Sequence, residues 1–374
     1  MRKILISKIQ PESKLGKTVY TPNGHVLLAA GAELNPAYLK RLQTLGFSAV
    51  FVQDGYSHDL IFPEIVSERT RIDGAVQIKN VFEETSKYKK IDTATVKNLV
   101  NQLVDEIVHS RKNLFETTDI RCYEGYLFAH SVNVCVIALR MGLQLGYNEL
   151  QLRDLGVGAL LHDIGMMFVE KQVLEKIGKL TPAEFLKVKQ HSNDGFNLLR
   201  EHQDVNLLSA HVAFQHHERI DGAGYPRLLK KTEICEFARI VAIADMFDAL
   251  TSENKHRKSY SVPAAIEIMK TEVGRQIDAD LAAMFIENVA LYSTGQLVEL
   301  NTGETAVVTA TSPGHSSKPR VKVLLDNRQQ LVENFKEIDL FNEPSISIIK
   351  AIEDDAFCAK VSKLLGETAD RPIV

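Results

Sequence analysis

Apolar residues recur at helical spacing through the middle of the chain and in short, turn-bounded runs at both ends. In residues 56–117, VKNLVNQLVDEIV carries the spacing of one buried helical face, and Asp92-Thr93 offers a start signal for the second of two helices. These helices are expected to be a packed connector, with a homodimer contact as the alternative. Residues 118–295 read as helical almost throughout. In residues 1–55, two strand-like runs flank Pro22-Asn23-Gly24, where Asn-Gly tolerates the positive φ of a hairpin turn. Asn35-Pro36 opens a short helix as cap and first helical residue, Gly46 closes it, and Ala49 to Val52 reads as a strand. After residue 296, GQLVELNTG, ETAVVTAT, RVKVLLDN and QQLVENF are strand-like runs divided by Thr302-Gly303, Pro313-Gly314 and Asp326-Asn327. Residues 348–374 read as a helix and a tail, with Pro372 near the end. The expected fold is mainly α: a helical domain at 118–295 behind a connector at 56–117. Small β-rich modules at 1–55 and 296–347 flank them, and 348–374 forms the C-terminal helix and tail.

Composition narrows the class without choosing a function. The chain has 374 residues, room for two or three domains at roughly 100–200 residues each. A net charge of -4 gives no general attraction to DNA or to an anionic membrane, so a small anionic ligand needs a local basic patch. The four cysteines are scattered and form no CxxC pair, which argues against a cysteine zinc site and against a disulfide framework. A reducing cytoplasm is expected. No apolar run is read as approaching the roughly 20 residues of a membrane span. The first apolar run breaks at Ser7 and Lys8, which disfavours a secretory leader.

The chemistry-bearing residues lie in the helical middle. His162-Asp163 ends the apolar run Leu155 to Leu161, just before Gly165. Neighbouring helical residues point about 100° apart, so a helix end is where both could serve one ion or divide between two. His191 lies in LKVKQHSNDGFNLL, and His216-His217 in AFQHHERIDGAGYP, where Glu218 or Asp221 could hold the second imidazole nitrogen. Asp245 interrupts the apolar RIVAIADMFDALTS, and Asp248 follows on a similar face, placed to orient a ligand. His162, Asp163, His191, His216, His217 and Asp245 are read as converging on one multinuclear metal centre. A His/Asp set without cysteine suits Fe or Mn, with Zn a further option. His130, in GYLFAHSVNV, is either a ligand, a phosphate contact or a hydrogen-bonded core histidine. HHERID is not an HExxH protease motif, and no phosphate-binding Walker loop or GxSxG elbow occurs.

Together HDIG, KQHSNDGFNLL, HHERIDGAGYP and ADMFDALTS resemble the HD-GYP family of metal-dependent phosphohydrolases, over residues 125–290. The resemblance implies a helical HD-GYP bundle and hydrolysis of the bacterial second messenger cyclic di-GMP to pGpG and GMP. It implies that the six residues hold two divalent transition-metal ions and that His162 and Asp163 are catalytic. Asp163 would bridge the ions, with His162 and His191 mainly serving one, and His216, His217 and Asp245 completing the cluster. His130, Gly224, Tyr225, Pro226, Arg257 and Lys258 would meet substrate. Tyr126 stands where trinuclear members carry a glutamate, so a binuclear centre is expected. Met166 replaces the lysine of the usual HDIGK, and Asn254 an arginine. Those losses motivate one alternative, a catalytically weak cyclic-dinucleotide-binding or protein-interaction regulator. A second, a phosphodiesterase for another cyclic dinucleotide, follows because the GYP loop does not decide the bases.

Overall fold

The computed structural model describes residues 1–9, 13–21, 23–47, 49–53, 56, 60, 62, 64–110, 126–174, 176, 178–252, 259–312, 314–352, 357–358, 360–361 and 364–365. They form two compact units. One draws its described residues from both ends of the chain, up to Glu64 and from Glu287 onward; the other lies between Ile65 and Ile286.

In the first unit, β1 (Arg2–Leu5) pairs antiparallel with β4 (Ala49–Val52), and β2 (Val19–Tyr20) with β3 (Val26–Leu28). The Asn23-Gly24 turn joins the second pair, with Gly24 at φ 78° and the Thr21 N–H donating to the His25 carbonyl at 2.8 Å. Helix α1 (Pro36–Thr44) starts as its sequence requires: the Asn35 side chain accepts from the Tyr38 N–H at 2.9 Å. Leu15, Leu34, Leu42 and Val50 close this small core.

The C-terminal part of the same unit is a five-stranded antiparallel sheet in the order β8-β7-β6-β5-β9. Its strands are β5 (Leu297–Leu300), β6 (Thr305–Ala310), β7 (Arg320–Leu325), β8 (Glu337–Asp339) and β9 (Ile348–Ala351). Successive side chains face opposite sides of a strand, and here both sides are covered. Leu297, Val307 and Leu324 pack with Tyr56, Cys358 and Val361, while Val298, Ala306, Val308 and Val323 pack with Ile338 and Leu340. Two expectations are corrected. The run QQLVENF contributes only an isolated bridge at Leu331, and the strand beside β7 falls later, at Glu337–Asp339. Ile348–Ala351, expected to open the C-terminal helix, is instead a strand against β5, whose free edge it satisfies.

The second unit is helical. It contains α2 (Glu68–Tyr88), α3 (Thr93–His109), α4 (Tyr126–Gln144) and α5 (Glu149–Leu160). There follow α6 (Lys171–Leu174), α7 (Pro182–Lys189), α8 (His191–Arg200), α9 (Leu207–Gln215), α10 (Glu236–Thr251), α11 (Val262–Glu272) and α12 (Ala279–Glu287). Asp92 caps α3 through the Thr95 N–H at 3.1 Å, and α3 buries Val96, Leu99, Val100, Leu103, Val104 and Ile107 along one stripe. The connector helices α2 and α3 pack on α4 and α5. Helix α4 is buried on every side from His130 to Gly142. Its 19 residues reach the length and apolarity of a membrane span, contrary to expectation. Within this unit that surface is covered by α2, α5 and α10, as in the central helix of a bundle.

Candidate metal centre

Helix α5 ends at Leu160, and a 3-10 turn, Ile164–Phe168, follows. His162 and Asp163 occupy the link between them. The His162 Nδ1 sits 2.7 Å from the Ala159 carbonyl. A carbonyl can only accept, so Nδ1 carries the proton and Nε2 presents its lone pair in the neutral ring. That Nε2 is buried and has no hydrogen-bond partner. Gly165 was expected to end the helix, but the helix ends earlier and the glycine has another task. A Cβ there would lie 1.9 Å from the His191 carbonyl oxygen and 2.8 Å from the Gly195 nitrogen. The missing side chain lets the backbone after His162-Asp163 rest directly on the start of α8.

His191 is the first residue of α8, with its Nδ1 2.6 Å from the Val188 carbonyl. His216 follows the last residue of α9, its Nδ1 3.1 Å from the carbonyls of both Val212 and Ala213. The same logic turns both Nε2 lone pairs inward, where they stand 3.3 Å apart. Two unprotonated nitrogens cannot hydrogen-bond to each other; the Ser192 hydroxyl stands 3.4 Å from the His191 Nε2, and a proton or a metal ion between the two rings relieves their contact. The Asp163 Oδ1 lies 3.4 Å from the first and 3.6 Å from the second. A cation resolves that geometry, and the donor set fits one.

The potential ligands fall into two adjoining groups: Asp163, His191, His216 and His217, and His130, His162 and Asp245. Within each group the ligand atoms all lie within 4.8 Å of one another. His162 and His191, expected to share one ion, belong to different groups. His130 joins the second group, with its Nε2 3.1 Å from the Asp245 Oδ1. Its Nδ1 contacts the Asp248 Oδ2 at 2.7 Å, and the Asn133 amide donates to the Asp248 Oδ1 at 3.2 Å. Tyr126 stacks on the His130 ring, with centroids 5.5 Å apart.

The electrostatics suit a cation. Burial acts to raise the Asp163 carboxyl, but His162 and the other histidines around it hold it well below the usual range. Burial also opposes ionisation of Asp245, which His130 outweighs, so its carboxyl too is lowered. Burial, then His216, push His217 well down, and burial lowers His191. Against burial, Asp245 and Asp248 hold His130 well above the ordinary imidazole value, and Asp163 raises His162. A metal ion entering that group displaces protons from its rings, whereas His191 and His217 are already neutral ligands. His130, His162, His191 and His216 are buried, while Asp163, His217 and Asp245 are partly exposed and form the open side.

The GYP loop borders that side. The Tyr225 ring lies 4.7 Å from the His217 ring, and the Tyr225 N–H donates to the His217 carbonyl at 3.1 Å. At Gly224, a Cβ would come within 2.3 Å of the Arg219 nitrogen, so only glycine lets the loop fold back so tightly. Pro226 follows Tyr225 and leads to Arg227, whose N–H donates to the Glu218 Oε1 at 2.7 Å; the Leu229 N–H donates to Oε2 at 3.0 Å. Glu218 therefore anchors the loop, and Asp221 pairs with Arg219. The outer acceptor of His216 is backbone, correcting the expectation of a carboxylate. Met166 lies half-buried in the 3-10 turn, its N–H donating to the Asp163 carbonyl at 2.9 Å. Arg257, Lys258 and Asn254 lie outside the described residues.

Two contributors escaped the sequence reading. Asn133 steadies Asp248, and its place one helical turn after His130 was the available signal. Lys189 places its ammonium 4.8 Å from the Tyr225 ring centroid; its position just before His191 offered a signal, but sequence adjacency alone does not show a lysine facing a loop.

Residues 102–281 match the family model described as HD domain. This chain contains an HD domain. Residues 297–359 match the KOW domain associated with HD domain, which covers the five-stranded sheet. The chain is 32% identical over 263 residues to the cyclic di-GMP phosphodiesterase PA4108 of Pseudomonas aeruginosa, covering 70% of this chain and 63% of that protein. It is 35% identical over 159 residues to a cyclic di-GMP phosphodiesterase of Thermotoga maritima, covering 42% of this chain and 43% of that one. It is also 33% identical over 190 residues to the 3'3'-cGAMP-specific phosphodiesterase 1 of Vibrio cholerae, covering 50% of this chain and 43% of that one. The chain thus spans less than two-thirds of the length of each. All three alignments are to proteins named for opening a cyclic dinucleotide.

Proposed function

We propose that the HD domain is a metal-dependent phosphodiesterase acting on a cyclic dinucleotide, with cyclic di-GMP the first choice of substrate, as part of cytoplasmic second-messenger signalling. The observation that carries this reading is the pair of adjoining ligand groups that meet at His162-Asp163. One ion would be held by His130, His162 and Asp245, and another by Asp163, His191, His216 and His217. When bound, divalent ions such as Fe or Mn supply Lewis acidity toward a phosphoryl oxygen and toward water.

The remaining work belongs to the chain. The carbonyls of Ala159, Val188, Val212 and Ala213 fix the tautomers of three histidines and aim their Nε2 atoms inward. Asp163 and Asp245 keep their negative charge at the open side, and Tyr225 walls it beside His217. In the proposed reaction, water adds to one phosphorus and the P–O bond to a ribose 3'-oxygen breaks. The product pGpG then carries a 5'-phosphate and a free 3'-hydroxyl, and a second hydrolysis gives GMP.

The test is anaerobic turnover of cyclic di-GMP by the full chain with Mn(II) or Fe(II), with products separated by chromatography and metal measured in the same sample. Formation of pGpG or GMP, abolished in Asp163→Ala, is the expected result. Turnover of 3'3'-cGAMP alone would move the substrate to another cyclic dinucleotide. A fully metal-loaded chain that opens neither would overturn the enzymatic reading in favour of a binding regulator, the role that Met166 in place of lysine would suit.

A further inference from the structure

Lys189 closes α7, and only Gln190 separates it from His191. It is half-buried and forms no ion pair among the described residues. Its neighbours on the same stretch behave differently: Lys176 reaches Glu184 at 2.6 Å and Lys187 reaches Glu170 at 2.7 Å. The Lys189 ammonium instead stands over two aromatic rings, 4.9 Å from the Phe185 centroid and 4.8 Å from that of Tyr225. Those rings meet edge to face at 6.4 Å and 80°. The Tyr225 ring in turn lies 4.7 Å from that of His217. A cation without a carboxylate partner among the described residues is thus held against Tyr225, whose ring borders the open side of the metal centre.

Ring faces attract an ammonium but accept none of its three N–H groups in a strong hydrogen bond. An anionic oxygen would complete it. The Asp163 and Asp245 carboxylates belong to the metal groups, and Glu184 and Glu170 are engaged with Lys176 and Lys187. A cyclic dinucleotide brings two phosphodiesters, and only one can be cleaved at a time. We propose that Lys189 is a substrate-binding residue that pairs with the phosphate not being cleaved, its direction set by Phe185 and Tyr225. This rests on the cyclic-dinucleotide reading above. A contact to the phosphate that is not being cleaved is made equally in the bound state and during reaction. It governs KM and leaves kcat alone.

The test compares the full, Mn(II)-loaded wild-type chain with Lys189→Met and Lys189→Arg on cyclic di-GMP and on bis(4-nitrophenyl) phosphate, which has a single phosphate. The Met variant is expected to raise KM for cyclic di-GMP roughly tenfold, the scale of one charged hydrogen bond, with kcat unchanged. The Arg variant should restore most of the loss, and hydrolysis of the single phosphodiester should be unaffected by either. Equal losses on both substrates would show a structural role and overturn the proposal, as would an unchanged KM. If wild type opens no cyclic dinucleotide, the enzymatic reading fails, and calorimetric binding of cyclic di-GMP decides Lys189 separately. Weaker binding by Lys189→Met then upholds the contact, and equal or absent binding by the two proteins rejects it.

Discussion

His130 and Asp248 stand 118 positions apart in sequence and meet at 2.7 Å between Nδ1 and Oδ2. The contact fixes the ring that α4 directs at Asp245, and Asn133 holds the carboxylate from its other oxygen. Asp248 therefore acts on the metal group through His130. Partners of this kind are worth roughly 10–100-fold in metal affinity or activity. Asp248→Ala should weaken the group of His130, His162 and Asp245 by that order and leave the group around His191 loaded. Metal titration with stoichiometry per chain reads the result directly; full loading of both groups at wild-type affinity would remove Asp248 from this role.

Glu218 performs the matching service for the GYP loop. Its side chain is buried, and its two oxygens accept the backbone N–H groups of Arg227 and Leu229. Glu218→Ala strands both donors and should cost roughly 2–4 kcal/mol of stability, since hydrogen bonds to a charged group are among the stronger ones. It should also raise KM while metal content stays near wild type, because Glu218 is in neither ligand group. Denaturant melts and steady-state kinetics on one preparation check both parts. Loss of metal together with KM would place Glu218 closer to the ions than its contacts indicate.

What the sequence made legible follows from how local the cause was. Asn35, Asp92 and the Asn23-Gly24 turn act within a few residues, and each is found in its expected place. The His and Asp residues of the centre were visible because polar groups inside apolar helical runs need a partner. Their division was not visible: whether His162 sides with His130 or with His191 depends on how α4, α8 and α10 pack. The outer acceptors were missed for a related reason. A carbonyl three or four residues before a histidine at a helix end leaves no mark in residue type. Tyr56 shares a core with Leu297 and Val361, and no local pattern announces a contact over such a separation.

Gly165 offers a sharp packing test. Its absent Cβ would sit 1.9 Å from the His191 carbonyl oxygen, and backbone there cannot move without disturbing His191 itself. Gly165→Ala should destabilise the chain by about 1–3 kcal/mol or more, the range for overpacking a filled interior, and should lower metal occupancy. Gly195→Ala is the comparison, because its nearest neighbours would be the Ala213 Cβ and the Gly165 nitrogen, both at 3.4 Å. Thermal melts and metal content of the two variants should separate clearly. Equal behaviour would mean that the 3-10 turn can shift away from α8.

The start of α7 supplies the pH dependence. Glu184 takes the Lys176 ammonium at 2.9 and 2.6 Å and the Thr181 N–H at 2.7 Å. Lys176 first, and then the Thr181 N–H and hydroxyl, lower its carboxyl from 4.5 to about 2. The folded chain thus favours the ionised form. Its stabilising contribution is fully present above the ordinary value of 4.5 and is lost as pH falls through about 2. Glu184→Gln removes the charge at every pH. The difference in Tm between wild type and this variant should be constant above about pH 5 and shrink steadily toward pH 2, as the wild-type carboxyl takes up its proton. A pH series of thermal melts for the two proteins tests this, and a difference that held its full size at pH 2 would show that the Lys176 contact does not depend on the carboxylate charge. Because α7 ends at Lys189, melts of Lys189→Met over the same series should follow the wild-type curve, separating the cap at one end of the helix from the ammonium at the other.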